Sequence, residues 1–136
     1  MLSMVFVFIL SACGEDDYLT TGPRGTAYED LPHISDYRGL EAYDEEDTMY
    51  LLYIYATWCG ACQAILLDVL DFVDQHDETI PIVFAEEGAN GTPPVEWSYY
   101  PSMIVMQSGE VLEGPIVGPS DILQLFDALE ANTYEP

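Results

Sequence analysis

Two cysteines lie where the sequence changes from one periodicity to another. Met49 to Ala56 is a continuous apolar run, and its length and lack of alternation predict a central strand buried on both faces. Beyond Cys59 and Cys62, apolar residues from Leu66 to Val73 recur at helical spacing. A strand must therefore end and a helix begin close to the cysteines, which predicts that Cys59 lies at a helix N-terminus.

The rest of the chain indicates an α/β fold with a central mixed β-sheet flanked by helices. A strand–helix–strand unit followed by a hairpin gives parallel and antiparallel neighbours in one sheet. Further strands are predicted over Ile80–Ala85, Ser102–Gln107 and Glu110–Glu113, and a shorter one over Thr26–Glu29. A last helix is expected after Ser120 as N-cap, a short one after Ser35, and a helical turn within Val95–Tyr99.

The N-terminus has the pattern of an export signal. The apolar run Met1–Leu10 is too short to span a bilayer as a helix but suits the core of a signal peptide, which is expected over residues 1–12. Leu10-Ser11-Ala12-Cys13 resembles the lipobox of bacterial lipoproteins, which implies cleavage before Cys13, its lipidation and a membrane anchor in the cell envelope. No basic residue precedes the run, which is consistent with a true start further upstream. A buried N-terminal strand with an ordinary Cys13 thiol is the alternative.

The remaining boundaries follow from composition. Residues 13–25 are polar, acidic and rich in Gly and Pro, which predicts a flexible tether. Residues 26–136 are then one folded domain, and the chain is expected to be a monomer.

The charge of the chain is extreme. Its formal net charge is −23, with Arg24 and Arg38 as the only basic residues besides two histidines. Such a surface excludes nucleic acid as a partner, since phosphate binding needs Lys and Arg. Either the surface is simply well solvated, or it is adapted to high salt. A melting temperature that stays flat from low to molar NaCl would count against the second interpretation.

The cysteine pair has the arrangement that thiol–disulfide exchange requires. One thiolate attacks a disulfide, and a second nearby thiol resolves the mixed disulfide that results. At a helix N-terminus, N–H groups and the macrodipole favour a thiolate, so Cys59 is assigned as attacking and Cys62 as resolving thiol. Half of a zinc site is the competing interpretation, but His33 and His76 lack metal-ligand spacing and are expected on the surface. No metal and no cofactor other than the redox-active disulfide are expected.

Two segments resemble the thioredoxin family. Tyr55 to Cys62 is similar to its active-site segment, and Tyr100 to Val111 is similar to its cis-proline strand and following hairpin. Gly118 matches the glycine before its last helix. The resemblance implies a cis Tyr100–Pro101 bond beside the cysteines. It also implies that substrate peptides contact residues on both segments, namely Trp58, Gly60, Ala61, Tyr100 and Pro101.

Three positions depart from the family pattern. Tyr53 stands six residues before Cys59, where thioredoxins usually have a buried Asp that helps to deprotonate the resolving cysteine. The partner lysine is missing, and Ala61 replaces the usual proline. The stretch from Cys62 to Pro101 also leaves no room for the helical insert of TlpA- and ResA-like envelope thioredoxins, which weakens a role in cytochrome maturation.

The sequence therefore predicts an envelope thiol–disulfide oxidoreductase that acts on protein thiols and disulfides, more as a reductant than an oxidant, with a redox partner protein. The alternative is a non-enzymatic, lipid-anchored binding module in which the Cys59–Cys62 disulfide is structural. The redox potential separates the two, because structural disulfides lie below roughly −300 mV.

Overall fold

A computed structural model describes residues 31–76 and 78–136 of the chain. The predicted signal peptide, Cys13, the tether and the strand expected over Thr26–Glu29 lie outside these residues, so those predictions remain as they were. Among the described residues, no helix is both long enough and apolar enough to cross a membrane.

The described residues form a five-stranded mixed sheet. Its strand order is β1-β3-β2-β4-β5, with β1, β2 and β3 parallel and with β4 and β5 antiparallel to their neighbours. The strands are β1 (His33–Asp36), β2 (Tyr50–Tyr55), β3 (Ile82–Asn90), β4 (Ser102–Gln107) and β5 (Glu110–Val117). The mixed sheet expected from the strand–helix–strand and hairpin pattern is confirmed.

Strand β2 is the middle strand of the sheet, and every residue in it is buried. It pairs with β3 on one side, where Tyr53 lies opposite Phe84, and with β4 on the other, where Tyr53 lies opposite Met103. Successive side chains of a strand point to opposite faces of its sheet. An uninterrupted apolar run is what such a strand needs, because both of its faces are covered.

The helices lie on both sides of the sheet. They are a 3₁₀ helix (Tyr37–Leu40), α1 (Glu41–Asp44), α2 (Gly60–His76) and α3 (Pro119–Glu130). We call the apolar residues between the sheet and α2 and α3 the helix-side layer; Leu51, Tyr53, Cys62, Val69 and Ile122 belong to it. The opposite layer is built around the 3₁₀ helix, with Tyr37, Leu40, Tyr50, Leu52 and Ile54 among its members.

Helix α2 is held to the sheet and to α3 by the apolar stripe that the sequence predicted. Leu66, Val69 and Leu70 are buried on it, and the ring of Phe72 stacks on Phe126 of α3 with centroids 4.4 Å apart. Stacked aromatic pairs add to the stabilisation that comes from burial alone. The packing fixes the start of α2, and with it the cysteines, against the end of β2.

Three local predictions were wrong. Asp36, not Ser35, caps the 3₁₀ helix, since its carboxylate accepts a hydrogen bond from the Arg38 N–H. Gly118, not Ser120, precedes α3. Its φ of 89° and ψ of 161° form a conformation that essentially only glycine adopts, so backbone geometry rather than a capping hydroxyl starts this helix. Residues 95–99 contain no helical turn.

Two strands extend further than predicted, and β5 forms one edge of the sheet. Strand β3 continues four residues beyond its pairing with β2, to Asn90, and β5 reaches Val117 rather than Glu113. The pairing of β4 with β5 shifts register twice, and β5 carries Pro115. The extension of β3 matters for the site, because it carries the acidic residue Glu87 past the end of the sheet where the cysteines lie.

Candidate functional site

Cys59 occupies the position directly before α2. Its N–H donates to the Ala56 carbonyl (3.1 Å), which ends β2 in a tight turn, and its sulfur accepts a hydrogen bond from the Cys62 N–H (3.2 Å). The sulfur thus takes the place of a capping oxygen at a helix N-terminus. The Cys62 N–H thereby holds the Cys59 sulfur at the start of the helix. The prediction that Cys59 lies at a helix N-terminus is confirmed.

The two thiols differ in their access to solvent. Neither forms a disulfide in this structure. Cys59 is 6% exposed and Cys62 is 0% exposed, so only the Cys59 sulfur can meet a disulfide of another molecule first. The arrangement fits the predicted order in which Cys59 attacks and Cys62 resolves.

The Pro101 loop faces Cys59. The Tyr100–Pro101 peptide bond is cis, as the resemblance implied. The Tyr100 carbonyl lies 3.4 Å from the Cys59 sulfur, and the Pro101 carbonyl accepts a hydrogen bond from the Gly118 N–H (3.0 Å). The start of α3 therefore holds the loop, and the loop forms one wall of the site.

Two aromatic side chains extend from the site into solvent. Trp58 is 66% exposed and Tyr99 is 69% exposed, whereas Tyr100 packs edge-on against Trp58 with ring centroids 5.8 Å apart. Large apolar side chains left in solvent beside a reactive group often mark a contact surface. Gly60, next to Cys59, has open space above it, because a Cβ built there would meet nothing within 4 Å.

The residue that fixes Trp58 was not predicted from the sequence. The indole N–H of Trp58 donates a hydrogen bond to the carboxylate of Glu87, on the extension of β3. The signal was present, because β2 and β3 are consecutive parallel strands whose carboxyl ends meet at one edge of the sheet. Tyr99 was missed for another reason, since the loop that carries it has no periodic pattern.

Tyr53 lies in the helix-side layer together with both cysteines. Its ring is held by stacking on Tyr55 (centroids 5.8 Å apart) and by the edge of Phe84 (5.6 Å). Its hydroxyl is buried and has no hydrogen-bond partner within residues 31–76 and 78–136. Burial, together with the nearby charge of Cys62 and Cys59, raises the pKa of Tyr53 above its usual value.

The histidines do not join this site. Within residues 31–76 and 78–136 there is no group of three or more His, Cys, Asp or Glu side chains placed to hold a metal ion. His76 is half-buried rather than fully solvated, because its ring packs against Phe72 (4.6 Å) and faces Glu130 across 3.5 Å. His33 lies on edge strand β1, with its ring stacked on Phe84.

A dithiol at a helix N-terminus, opposite a cis-proline loop and on a mixed five-stranded sheet, defines the class of thioredoxin-fold proteins. The thioredoxin family model matches residues 40–131, and the chain belongs to the thioredoxin family.

Solved structures agree on the fold. Thioredoxin from Trypanosoma brucei brucei is 18% identical, with a TM-score of 0.58 over 77% of this chain and 92% of that one. Mitochondrial thioredoxin 3 from Saccharomyces cerevisiae, in its oxidized form, is 17% identical, with a TM-score of 0.59 over 78% of this chain and 95% of that one. No curated protein sequence matches significantly.

Proposed function

We propose that the chain is a thiol–disulfide oxidoreductase that exchanges disulfides with protein substrates through Cys59 and Cys62. One observation carries this proposal: the Cys59 sulfur is the slightly exposed member of the pair and accepts a backbone N–H at a helix N-terminus, with the second thiol buried one turn further on. A nucleophile and a resolving thiol are what exchange through a mixed disulfide needs.

The reaction proceeds in two displacements. The Cys59 thiolate attacks a substrate disulfide, so that a Cys59–substrate bond forms and one substrate sulfur leaves. Cys62 then attacks the Cys59 sulfur, the Cys59–Cys62 disulfide forms and the second substrate sulfur leaves as a thiol. The substrate gains two electrons and two protons, and the oxidised pair must be reduced again by a partner protein.

The substrate surface proposed here surrounds Cys59. Trp58 and Tyr99 provide exposed aromatic faces, Gly60 leaves room for a peptide backbone, and Ala61, Tyr100 and Pro101 complete the rim. The backbone of the Pro101 loop provides an edge against which an extended substrate peptide could pair.

Replacement of the cysteines tests this function. Cys59→Ser should abolish reduction of insulin disulfides, whereas Cys62→Ser should accumulate a mixed disulfide that a non-reducing gel detects. Cys13→Ser is the matched control, since it removes a cysteine outside the proposed pair and should leave the rate unchanged. Full activity of Cys59→Ser would refute the proposal.

The direction of electron flow is tested by the equilibrium potential of the pair against glutathione. The resemblance to thioredoxins favours a reductant, for which we expect a potential near that of thioredoxin, about −270 mV. A value below roughly −300 mV, with no thiol of raised reactivity, would instead support a binding module with a structural disulfide.

The place of action is proposed from the N-terminal sequence. Lipidation of Cys13 would anchor the domain to a membrane of the cell envelope through an acidic tether, facing the periplasm or the exterior. Intact mass of the native protein tests this: a diacylglyceryl addition on Cys13 with residues 1–12 removed supports it, and an unprocessed Met1 refutes it.

A further inference from the structure

The hydrogen bond between Trp58 and Glu87 brings a negative charge to the proposed substrate surface. Trp58 directly precedes Cys59 and is 66% exposed, and its indole N–H donates to the Glu87 carboxylate. Glu86 is the last residue of β3 that pairs with β2, so Glu87 lies just past the end of the strand that leads to the cysteines. Glu87 is itself exposed. Its carboxylate therefore borders the surface that a peptide would cover while its disulfide meets the Cys59 sulfur.

The hydrogen bond from Trp58 leaves most of the Glu87 carboxylate available. An indole N–H is an uncharged donor and takes one of about four lone-pair sites on a carboxylate. Arg38 is the only Lys or Arg among residues 31–136, and its guanidinium is bonded to Asp36 (2.7 Å). Glu87 can therefore accept further hydrogen bonds from a cation that another molecule brings.

A groove beside Glu87 has room for such a cation. It lies between β1 and the extension of β3, has a volume of about 360 Å³, and is lined by His33, Glu86, Glu87 and Asn90 among others. A volume of this size suits a small ligand or one side chain. Because Glu87 belongs both to the groove and to the contact with Trp58, a long side chain next to a substrate cysteine could extend from Trp58 into the groove.

Lysine and arginine are the substrate side chains that match these features. Each has an apolar stem that can lie along an aromatic ring and a cationic head that only donates hydrogen bonds. The exposed face of an indole attracts a cation, and a carboxylate next to it provides a charge-assisted hydrogen bond. An acidic substrate would be repelled by Glu86 and Glu87, and the net charge of −23 on the whole chain would add to that repulsion.

We propose that Trp58 and Glu87 form a subsite for a Lys or Arg side chain next to the substrate disulfide, so that the protein prefers cationic polypeptides as substrates. The inference rests on the proposed exchange function and names its substrate class. Glu87 determines specificity through its charge and takes no part in the displacement at the Cys59 sulfur.

The test uses peptides with one activated cysteine. Full-length reduced protein carrying Cys13→Ser, the parent protein, is mixed with a peptide whose single cysteine is linked to thionitrobenzoate. Cys59 attacks the peptide sulfur, the Cys59–peptide bond forms, and coloured thionitrobenzoate leaves. Three peptides of otherwise equal sequence carry Lys, Gln or Glu on both sides of the cysteine. Each rate constant is divided by that of 2-mercaptoethanol with the same peptide, which removes differences in the intrinsic reactivity of the peptides.

The expected result is a preference that depends on Glu87. The Lys peptide should react about fivefold faster than the Gln peptide with the parent protein, and the Glu peptide should be slowest. Glu87→Gln keeps an oxygen that can accept the Trp58 N–H but removes the charge. It should lower the Lys-to-Gln rate ratio by about threefold, the effect of an exposed ion pair, and Glu87→Lys should lower the ratio further.

Glu110→Gln is the matched control. It removes the same charge at the far end of β4, where Glu110 pairs with Gln107, whereas the Pro101 loop lies before the start of that strand. The Lys-to-Gln ratio of this variant should equal that of the parent protein.

The outcomes are distinct. A Lys-to-Gln ratio near one in the parent protein, or an unchanged ratio in Glu87→Gln, overturns the subsite and leaves the exchange function standing. An equal fall of the ratio in Glu110→Gln also overturns the subsite, because the preference would then come from the overall charge. If the parent protein reacts with all three peptides no faster than its Cys59→Ser variant does, the exchange function fails together with this inference.

Discussion

Tyr50 and Tyr53 belong to the same strand and are both buried, yet among the described residues only the Tyr50 hydroxyl is hydrogen-bonded. Tyr50 faces the opposite layer and donates to the Asp44 carboxylate at 2.6 Å. Tyr53 faces the helix-side layer and has no partner among the described residues. One face of β2 therefore has a hydrogen-bonded tyrosine, whereas the other, in the layer that also holds the two cysteines, has a tyrosine hydroxyl with no hydrogen bond among the described residues.

The largest effect is expected when either ring is removed. Tyr50→Ala and Tyr53→Ala should each lower the free energy of unfolding by about 3–5 kcal/mol, because both leave a cavity in a packed layer. Urea denaturation measures this. Leu67→Ala, on the exposed side of α2, should change it by less than about 0.5 kcal/mol. A loss of under about 1 kcal/mol at one tyrosine would mean that its layer is loosely packed.

Alkaline pH acts on both layers at once. Burial, with the charge of Tyr100, raises the pKa of Tyr37 to about 12, and burial also raises the pKa of Tyr50 and Tyr53. An unfolded tyrosine ionises near pH 10, so their contribution to stability is complete below about pH 10 and is lost as pH rises through the folded values. We expect unfolding free energy to fall from about pH 10 upward. Constant stability between about pH 10 and 12 would contradict this.

Tyr50→Phe removes a hydrogen bond that the opposite layer uses. We expect it to destabilise the protein by about 1–2 kcal/mol, since the bond has a carboxylate acceptor. Asp44→Asn keeps an acceptor for the hydroxyl and should cost less. If urea denaturation gave Tyr50→Phe the same free energy of unfolding as the unmodified protein, the hydrogen bond to Asp44 would not stabilise the fold.

Tyr53→Phe should change the free energy of unfolding in the opposite direction from Tyr50→Phe, so it tests the comparison most directly. It removes a buried hydroxyl that has no partner, so the reduced protein should be unchanged or more stable, by up to about 1 kcal/mol. The same substitution would then stabilise one face of β2 and destabilise the other. A loss of unfolding free energy equal to that of Tyr50→Phe would show that the Tyr53 hydroxyl already makes a hydrogen bond in the reduced protein.

The smallest effect is expected at the exposed Asp36–Arg38 ion pair. It should contribute less to the free energy of unfolding than the buried hydrogen bond of Tyr50 does. Hydrogen bonds from the Arg38 side chain and N–H lower the pKa of Asp36 to about 2. Its contribution to stability is present above the unfolded value and is lost as pH falls through about 2. Arg38→Gln should move the pKa of Asp36 towards 3.8, which NMR titration measures. The free energy of unfolding should change little. An unmoved pKa would contradict the assignment.

The elements nearest the cysteines were predictable from the sequence because their signals are local. The apolar run of β2, the helical stripe of α2 and the hairpin of β4 and β5 all depend on neighbouring residues, and each was predicted. The same holds for the start of α2 at Cys59. The predicted roles of Cys59, Cys62 and Pro101 rested on these segments and on a family resemblance.

What the sequence could not reveal depends on distant residues. The Trp58–Glu87 hydrogen bond joins residues 29 positions apart, and the Gly118–Pro101 bond joins the start of one helix to a loop. The missing partner of Tyr53 is likewise a property of the whole layer, because a lone tyrosine in a strand pattern carries no sign of what faces its hydroxyl. Ser35 and Ser120 failed as caps because of their positions: Ser35 lies one residue before the capping Asp36, and Ser120 already lies inside α3.

Strand β5 has a consequence for how copies of this protein behave at high concentration. An edge strand is a template on which a second sheet can grow, and two sheets joined in this way begin an aggregate. Here Pro115 removes one N–H from the edge, two register shifts twist it, and the Glu110 and Glu113 carboxylates add like charge along it. Pairing of β5 with the edge strand of a second copy is therefore hindered by the missing N–H of Pro115, by the irregular register and by charge repulsion.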